Sequence, residues 1–131
     1  MQYKGAGVIL GYPCNSMGAM TETNLALLKG TVDLLILAAL DADEPLHGYA
    51  VAEWIERRTG GTLLLEEGTL YPALHRMGRQ GLIEAEWGVS DNNRRARFYR
   101  LTAAGRARHQ QNAAEWGRYA QAVAAALGNE S

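Results

Sequence analysis

Leu70, Leu74 and Met77 recur at i, i+4 and i+7 within EEGTLYPALHRMGRQGL, residues 66–82. That spacing gathers three apolar side chains on one stripe of an α-helix. It predicts a short helix packed on a core by that stripe, with Thr69, Tyr71, Pro72, His75, Arg76 and Arg79 largely outside it. The flanks agree. Gly68 frees the entering chain, Thr69 offers a capping hydroxyl, Pro72 falls in a first turn whose amides lack helical acceptors, and Gly81 follows Arg79 and Gln80 as a stop. Upstream, residues 25–40 are apolar on nearly every side past Thr31, which predicts a helix covered on most of its surface. In a small domain such cover comes partly from a second chain, so Leu28 and Leu35 are candidate dimer contacts. Residues 41–45 read as a turn. Residues 46–59 read as a second helix with Tyr49, Ala52 and Ile55 on one side, ended by Gly60 and Gly61.

After the 66–82 helix the period changes. Ile83, Ala85 and Trp87 alternate with Glu84 and Glu86 over residues 82–89, and residues 96–101 set Phe98 against Arg97 and Tyr99, the period of half-buried strands. The polar run 90–95 between them predicts a hairpin with a basic tip. Thr102 then caps a last helix from 103 to about 127, in which Trp116, Ala120, Val123 and Leu127 line one stripe. The fold class is therefore mainly α with a small β-hairpin: a winged helix-turn-helix over residues 25–101 and a C-terminal helix over 102–127. The last stripe has no partner within so short a chain. The hydroxyl, phenol, imidazole and two guanidiniums of Thr69, Tyr71, His75, Arg76 and Arg79 outside the first stripe can contact phosphates and base edges, so the 66–82 helix reads as a recognition helix. A two-fold dimer would bury the last stripe and present two such helices about 34 Å apart on one duplex.

Composition and charge sharpen this picture. The chain has 131 residues and 47% apolar content, enough for one modest core. Its net charge of −1 argues against a uniformly basic coat, so distribution matters more than the sum. Six arginines (94, 95, 97, 100, 106 and 108) fall between 94 and 108 without a carboxylate. Such a run repels itself, and a polyanion relieves the repulsion. Residues 1–19 are glycine-rich and aperiodic, which predicts an extension outside the domain: a flexible tail, or residues upstream of a true start at Met20 or Met17. The single Cys14 cannot form an intramolecular disulfide, which points to a reducing compartment, the cytoplasm. No run of about 18 apolar residues predicts a membrane span.

The order helix, helix, recognition helix, wing and long helix, together with the stretches LLKGTVDLLIL, LHGYAVAEWI, EEGTLYPALHRMGRQGLIEAEW and NNRRARFYRLTAAG, resembles the PadR family of bacterial transcriptional regulators. The resemblance spans roughly residues 28–127 and implies a winged-helix, dimeric, DNA-binding repressor of a short form with a single C-terminal helix. It implies that Thr69, Tyr71, Pro72, His75 and Arg76 lie on or beside the major-groove helix and that Arg94, Arg95 and Arg97 form the wing. Tyr49 would help to position the DNA backbone, and the C-terminal helix would make the dimer.

Other chemistry finds little support. No carboxylate pair, no nucleophile with a base and no intact phosphate loop stands at catalytic spacing, so no enzyme and no cofactor are expected. The three histidines and Cys14 make no metal-ligand spacing. His47 reads as structural, and His109 stands alone on the last helix. Trp116 reads as dimer packing; a sharper expectation places Trp116 and its two-fold mate, with Trp87 or Trp54 nearby, around a cavity for a flat aromatic or cationic effector. The alternative to an operator-binding dimer is a winged-helix module that binds protein instead of DNA. Binding would then be indifferent to Arg94, Arg95 and Arg97.

Overall fold

The computed structural model describes residues 30–42 and 44–129. The elements run α1 (Thr31–Leu40), β1 (Leu46–His47), α2 (Gly48–Arg58), α3 (Glu67–Arg79), β2 (Ile83–Val89), β3 (Arg95–Leu101) and α4 (Ala103–Leu127). Residues 1–19 with Cys14, and Leu28, lie outside the described residues.

The stripe on α3 does what its spacing predicts. Leu70, Leu74 and Met77, joined by Ala73, are buried against Ile36, Leu37 and Leu40 of α1, Val51 and Ile55 of α2, and Leu82, Ile83 and Leu101 around the sheet. Each such side chain contributes about 1.5–3 kcal/mol by leaving water. This shared core fixes which face of α3 remains outside.

Three local expectations change. Leu46 and His47 are not helical but pair antiparallel with Tyr99 and Phe98, so the hairpin becomes a three-stranded sheet of order β1-β3-β2. The reason is His47, which keeps an extended backbone and caps α2 by accepting the Ala50 amide at Nδ1 (3.3 Å). Tyr49 does not share a side with Ile55. Gly48, Val51 and Ile55 face inward, and Tyr49 is 68% exposed. The recognition helix starts at Glu67, earlier than Thr69. The amides of Thr69 and Leu70 both donate to the Glu66 carbonyl, so Thr69 is a first-turn residue and not the cap. Pro72 consequently lies in the second turn, where it supplies no amide to the Gly68 carbonyl.

The wing closes as its polar tip suggests. β2 and β3 pair in register from Ile83↔Leu101 to Val89↔Arg95. Asn93 takes the left-handed conformation, φ 62°, that the turn requires. The root of α4 is tied to the end of α3. Thr102 accepts the Gly105 amide at Oγ1 (3.0 Å), donates that hydroxyl to the Gly81 carbonyl (2.6 Å), and donates its amide to the Leu82 carbonyl (3.0 Å). Gly105 is buried directly against that Leu82 carbonyl. His109, one turn further on, does not stand alone: its Nε2 lies 3.7 Å from Asp41 at the end of α1.

Candidate nucleic-acid interface

The first turn of α2, the outer face of α3 and the wing enclose two adjoining clefts. One, of about 530 Å³, is lined by Tyr49, Tyr71, Arg94, Arg95 and Arg97 together with Trp87 and Tyr99. The other, of about 670 Å³, runs between α3 and the sheet; Tyr71, His75, Arg79 and Arg97 line it, with Glu84, which pairs with Arg100, at its edge on the sheet. Tyr71, His75 and Arg79 follow at i, i+4 and i+8, one row along the exposed side of the helix. Tyr71 and Arg97 belong to both clefts.

Tyr71 owes its position to Gly48. Its ring lies across the first residue of α2, where a Cβ would sit 2.6 Å from the phenol oxygen. Burial, and then the nearby Glu67 and Tyr99, push this phenol above its ordinary value. The hydroxyl therefore stays neutral and can both donate and accept.

Folding sorts the arginine run. Arg100 reaches Glu84 at 3.4 Å and Arg106 reaches Asp41 at 3.9 Å, so two of the six cations have acidic neighbours supplied by other elements. No carboxylate among the described residues pairs with Arg94, Arg95 or Arg97. Arg95 lies over the Trp87 ring at 4.2 Å from its centroid, and Arg97 at 5.6 Å. Of the run's cations without an acidic neighbour among the described residues, Arg94, Arg95 and Arg97 share the wing cleft, and Arg108 lies on α4 outside it.

Thr69, Pro72 and Arg76 fall on the opposite flank of α3, around a recess shared with Gly30, Val32 and Asp33. Arg76 is not an open guanidinium. Its Nη1 donates to Asp33 Oδ2 at 2.7 Å and its Nη2 to Oδ1 at 3.0 Å, a bidentate fork between α3 and α1. The hydrogen bond and charge of Asp33 push the Arg76 pKa further up. Arg76, expected to face DNA, thus ties α3 to α1 through Asp33. Its side chain is 43% exposed and that of Asp33 32%, so screening limits the pair. In a double-mutant cycle of Asp33→Ala and Arg76→Ala, urea unfolding should give a coupling of about 0.5–1 kcal/mol. Additive losses would show that the fork carries no energy.

Of the residues expected at a dimer contact, Trp116, Val123 and Leu127 are exposed along α4 and Ala120 is half-buried. A groove of about 410 Å³ between α1 and α4 is lined by Gly30, Leu34, Asn112, Glu115, Trp116 and Tyr119. Leu34, not Leu35, faces it; Leu35 packs on the chain's own core. Within one chain, Trp54 and Trp87 do not join Trp116. Trp54 lies against the core beneath Arg58, and Trp87 stands on the wing.

Residues 36–111 match the family model described as the transcriptional regulator PadR-like family. The chain belongs to this family. Members of the PadR-like family are transcriptional regulators and not enzymes. The chain is 41% identical over 66 residues to Transcriptional regulator Rv3488 of Mycobacterium tuberculosis, covering 50% of this chain and 58% of that protein. A PadR family transcription regulator from Clostridium difficile is similar in structure, with a TM-score of 0.62 and 30% identity over 75% of this chain and 98% of that one. Bacillus subtilis PadR, solved in complex with operator DNA, shares the fold at a TM-score of 0.55 and 20% identity, over 63% of this chain and 46% of that one.

For this PadR-like chain, the sequence pattern passed over Trp87, Tyr99 and His47 at the clefts, Asp33 at the fork, and Leu34 and Tyr119 at the groove. Trp87 was within reach of sequence reasoning, since period two and the hairpin register place it on the same face as Arg97, directly across from it. Asp33 was not, because it stands 43 residues from Arg76. Among the described residues no helix is long and apolar enough to cross a membrane, and no group of three metal-binding side chains occurs.

Proposed function

We propose that this chain is a homodimeric repressor that binds a roughly palindromic operator through Tyr71, His75 and Arg79 of α3, with Tyr49 and the wing arginines on the backbone. The observation that carries this reading is the 530 Å³ cleft, which presents Arg94, Arg95 and Arg97 without a single lining carboxylate beside the row on α3. A groove that concentrates unpaired guanidiniums suits phosphates, and the polar row beside it suits base edges. Bacillus subtilis PadR offers a precedent for this fold on operator DNA.

Pairing along α4 accounts for the exposed Trp116, Tyr119, Val123 and Leu127. Repression follows from occupying a promoter. Release follows from a flat aromatic or cationic molecule in the groove beside Trp116, which would alter the angle between α1 and α4 and with it the spacing of the two recognition helices.

The test is fluorescence anisotropy with the duplex upstream of the protein's own gene and a scrambled duplex of equal length, at two salt concentrations, alongside sedimentation. The reading requires preference for the upstream duplex, affinity that falls as salt rises, and a dimer. Equal, salt-insensitive binding to both duplexes, or a monomer at micromolar concentration, overturns it.

A further inference from the structure

Trp87 is 56% exposed and packs on no part of the core, although tryptophan is the largest apolar side chain in the wing. Its strand explains where it points. In the register of β2 with β3, Trp87 lies opposite Arg97 and Val89 opposite Arg95, so these four share one face while Glu84 and Glu86 occupy the other. The apolar pair is exposed, Val89 at 66%, and both guanidiniums lie over the indole. This face opens into the same cleft as Tyr49 and Tyr71, and no carboxylate lines that cleft.

An exposed apolar ring between unpaired cations matches a partner that alternates apolar and anionic groups at short intervals. The sugar–phosphate backbone does so. Residues two apart on a strand are about 7 Å apart, a separation of the order of that between neighbouring phosphates on one DNA strand. We infer that Trp87 is a positioning and contact residue of the DNA interface. Its ring holds Arg95 and Arg97 in place by cation–π attraction, so that they donate to adjacent phosphates, and its exposed edge packs on the deoxyribose between them. The ring also offsets the mutual repulsion of two like charges that have no acidic partner.

The inference rests on the DNA-binding reading and adds a residue to it. The test compares wild type, W87F, W87A, the double variant R95A/R97A and the triple variant W87A/R95A/R97A. Each is measured by anisotropy on the upstream and scrambled duplexes across a salt series, with thermal unfolding as a check on folding. W87A should weaken binding to both duplexes alike, by about tenfold, and make the salt dependence shallower by roughly one to two phosphates' worth. W87F should recover most of the affinity, the melting temperature should move little, and adding W87A to R95A/R97A should cost far less than it costs alone. Wild-type affinity and salt dependence in W87A overturn the inference while the DNA-binding reading stands, and so does a W87F as defective as W87A. Failure of the wild type to bind either duplex sinks both.

Discussion

Replacing Gly105 by alanine should destabilise the chain by about 3 kcal/mol and lower its melting temperature by on the order of 10 °C. Alanine is ordinarily the better helix former, by up to about 1 kcal/mol, so propensity alone predicts the opposite sign. Packing wins because the new Cβ would be driven into the Leu82 carbonyl oxygen, with the Leu101 side chain at 3.3 Å on another side. A flexible side chain could give way there; the carbonyl cannot, since it accepts the Thr102 amide at 3.0 Å in the joint between α3 and α4. Relief requires lifting the first turn of α4, which also pulls the Thr102 hydroxyl from Gly81 and Gly105. Differential scanning calorimetry checks the size. An unchanged or higher melting temperature would mean that α4 sits further from Leu82 than described.

Changing Arg94, Arg95 and Arg97 together to alanine should produce the largest loss of DNA binding of any wing substitution. Three phosphate contacts contribute roughly 2.7 to the slope of log affinity against log salt, so most of the effect should appear at low salt and shrink as salt rises. A loss of about a hundredfold near physiological salt, equal for upstream and scrambled duplexes, is the expected pattern for groups that meet phosphate and not bases. The fold should be indifferent, because these side chains make no ion pair with any described carboxylate and their removal relieves mutual repulsion. Anisotropy over a salt series reads both quantities. Undiminished binding would favour a protein partner for the wing.

How legible this was differs by element, for physical reasons. The α3 stripe, the hairpin and the Thr102 cap were readable because each is local: a repeat of three or four residues, an alternation, a hydroxyl three positions before the amide it accepts. β1 was not readable, since two residues cannot show a period and its pairing depends on His47 leaving the helix to cap it. The start of α3 was misplaced because Glu66 ends the extended segment without a side-chain cap, whereas Thr69 has the more usual capping chemistry. At the candidate interface, period two and period 3.6 placed Tyr71, His75 and Arg79 on one row and the wing arginines on one hairpin, and the clefts bring them together. The fork of Arg76 to Asp33 was not legible, because its partner is an acidic residue in another helix and charge alone does not say where a guanidinium is satisfied. That Leu34 lines the groove beside α4 while Leu35 packs inward was illegible for a similar reason: in an apolar helix no polar position marks which side meets which neighbour.

Among the described residues of α4, Gly105 alone is buried. A helix of 25 residues so lightly anchored gains little from its own core beyond the first turns, and isolated helices are marginal in water. If two copies pair along it, the far half of α4 folds as they associate, and ordering and assembly become one equilibrium governed by mass action. The protein's resistance to unfolding would then rise with its own abundance. Dilution to the low concentrations at which a regulator meets few binding sites would loosen the helix that holds its two reading heads in phase.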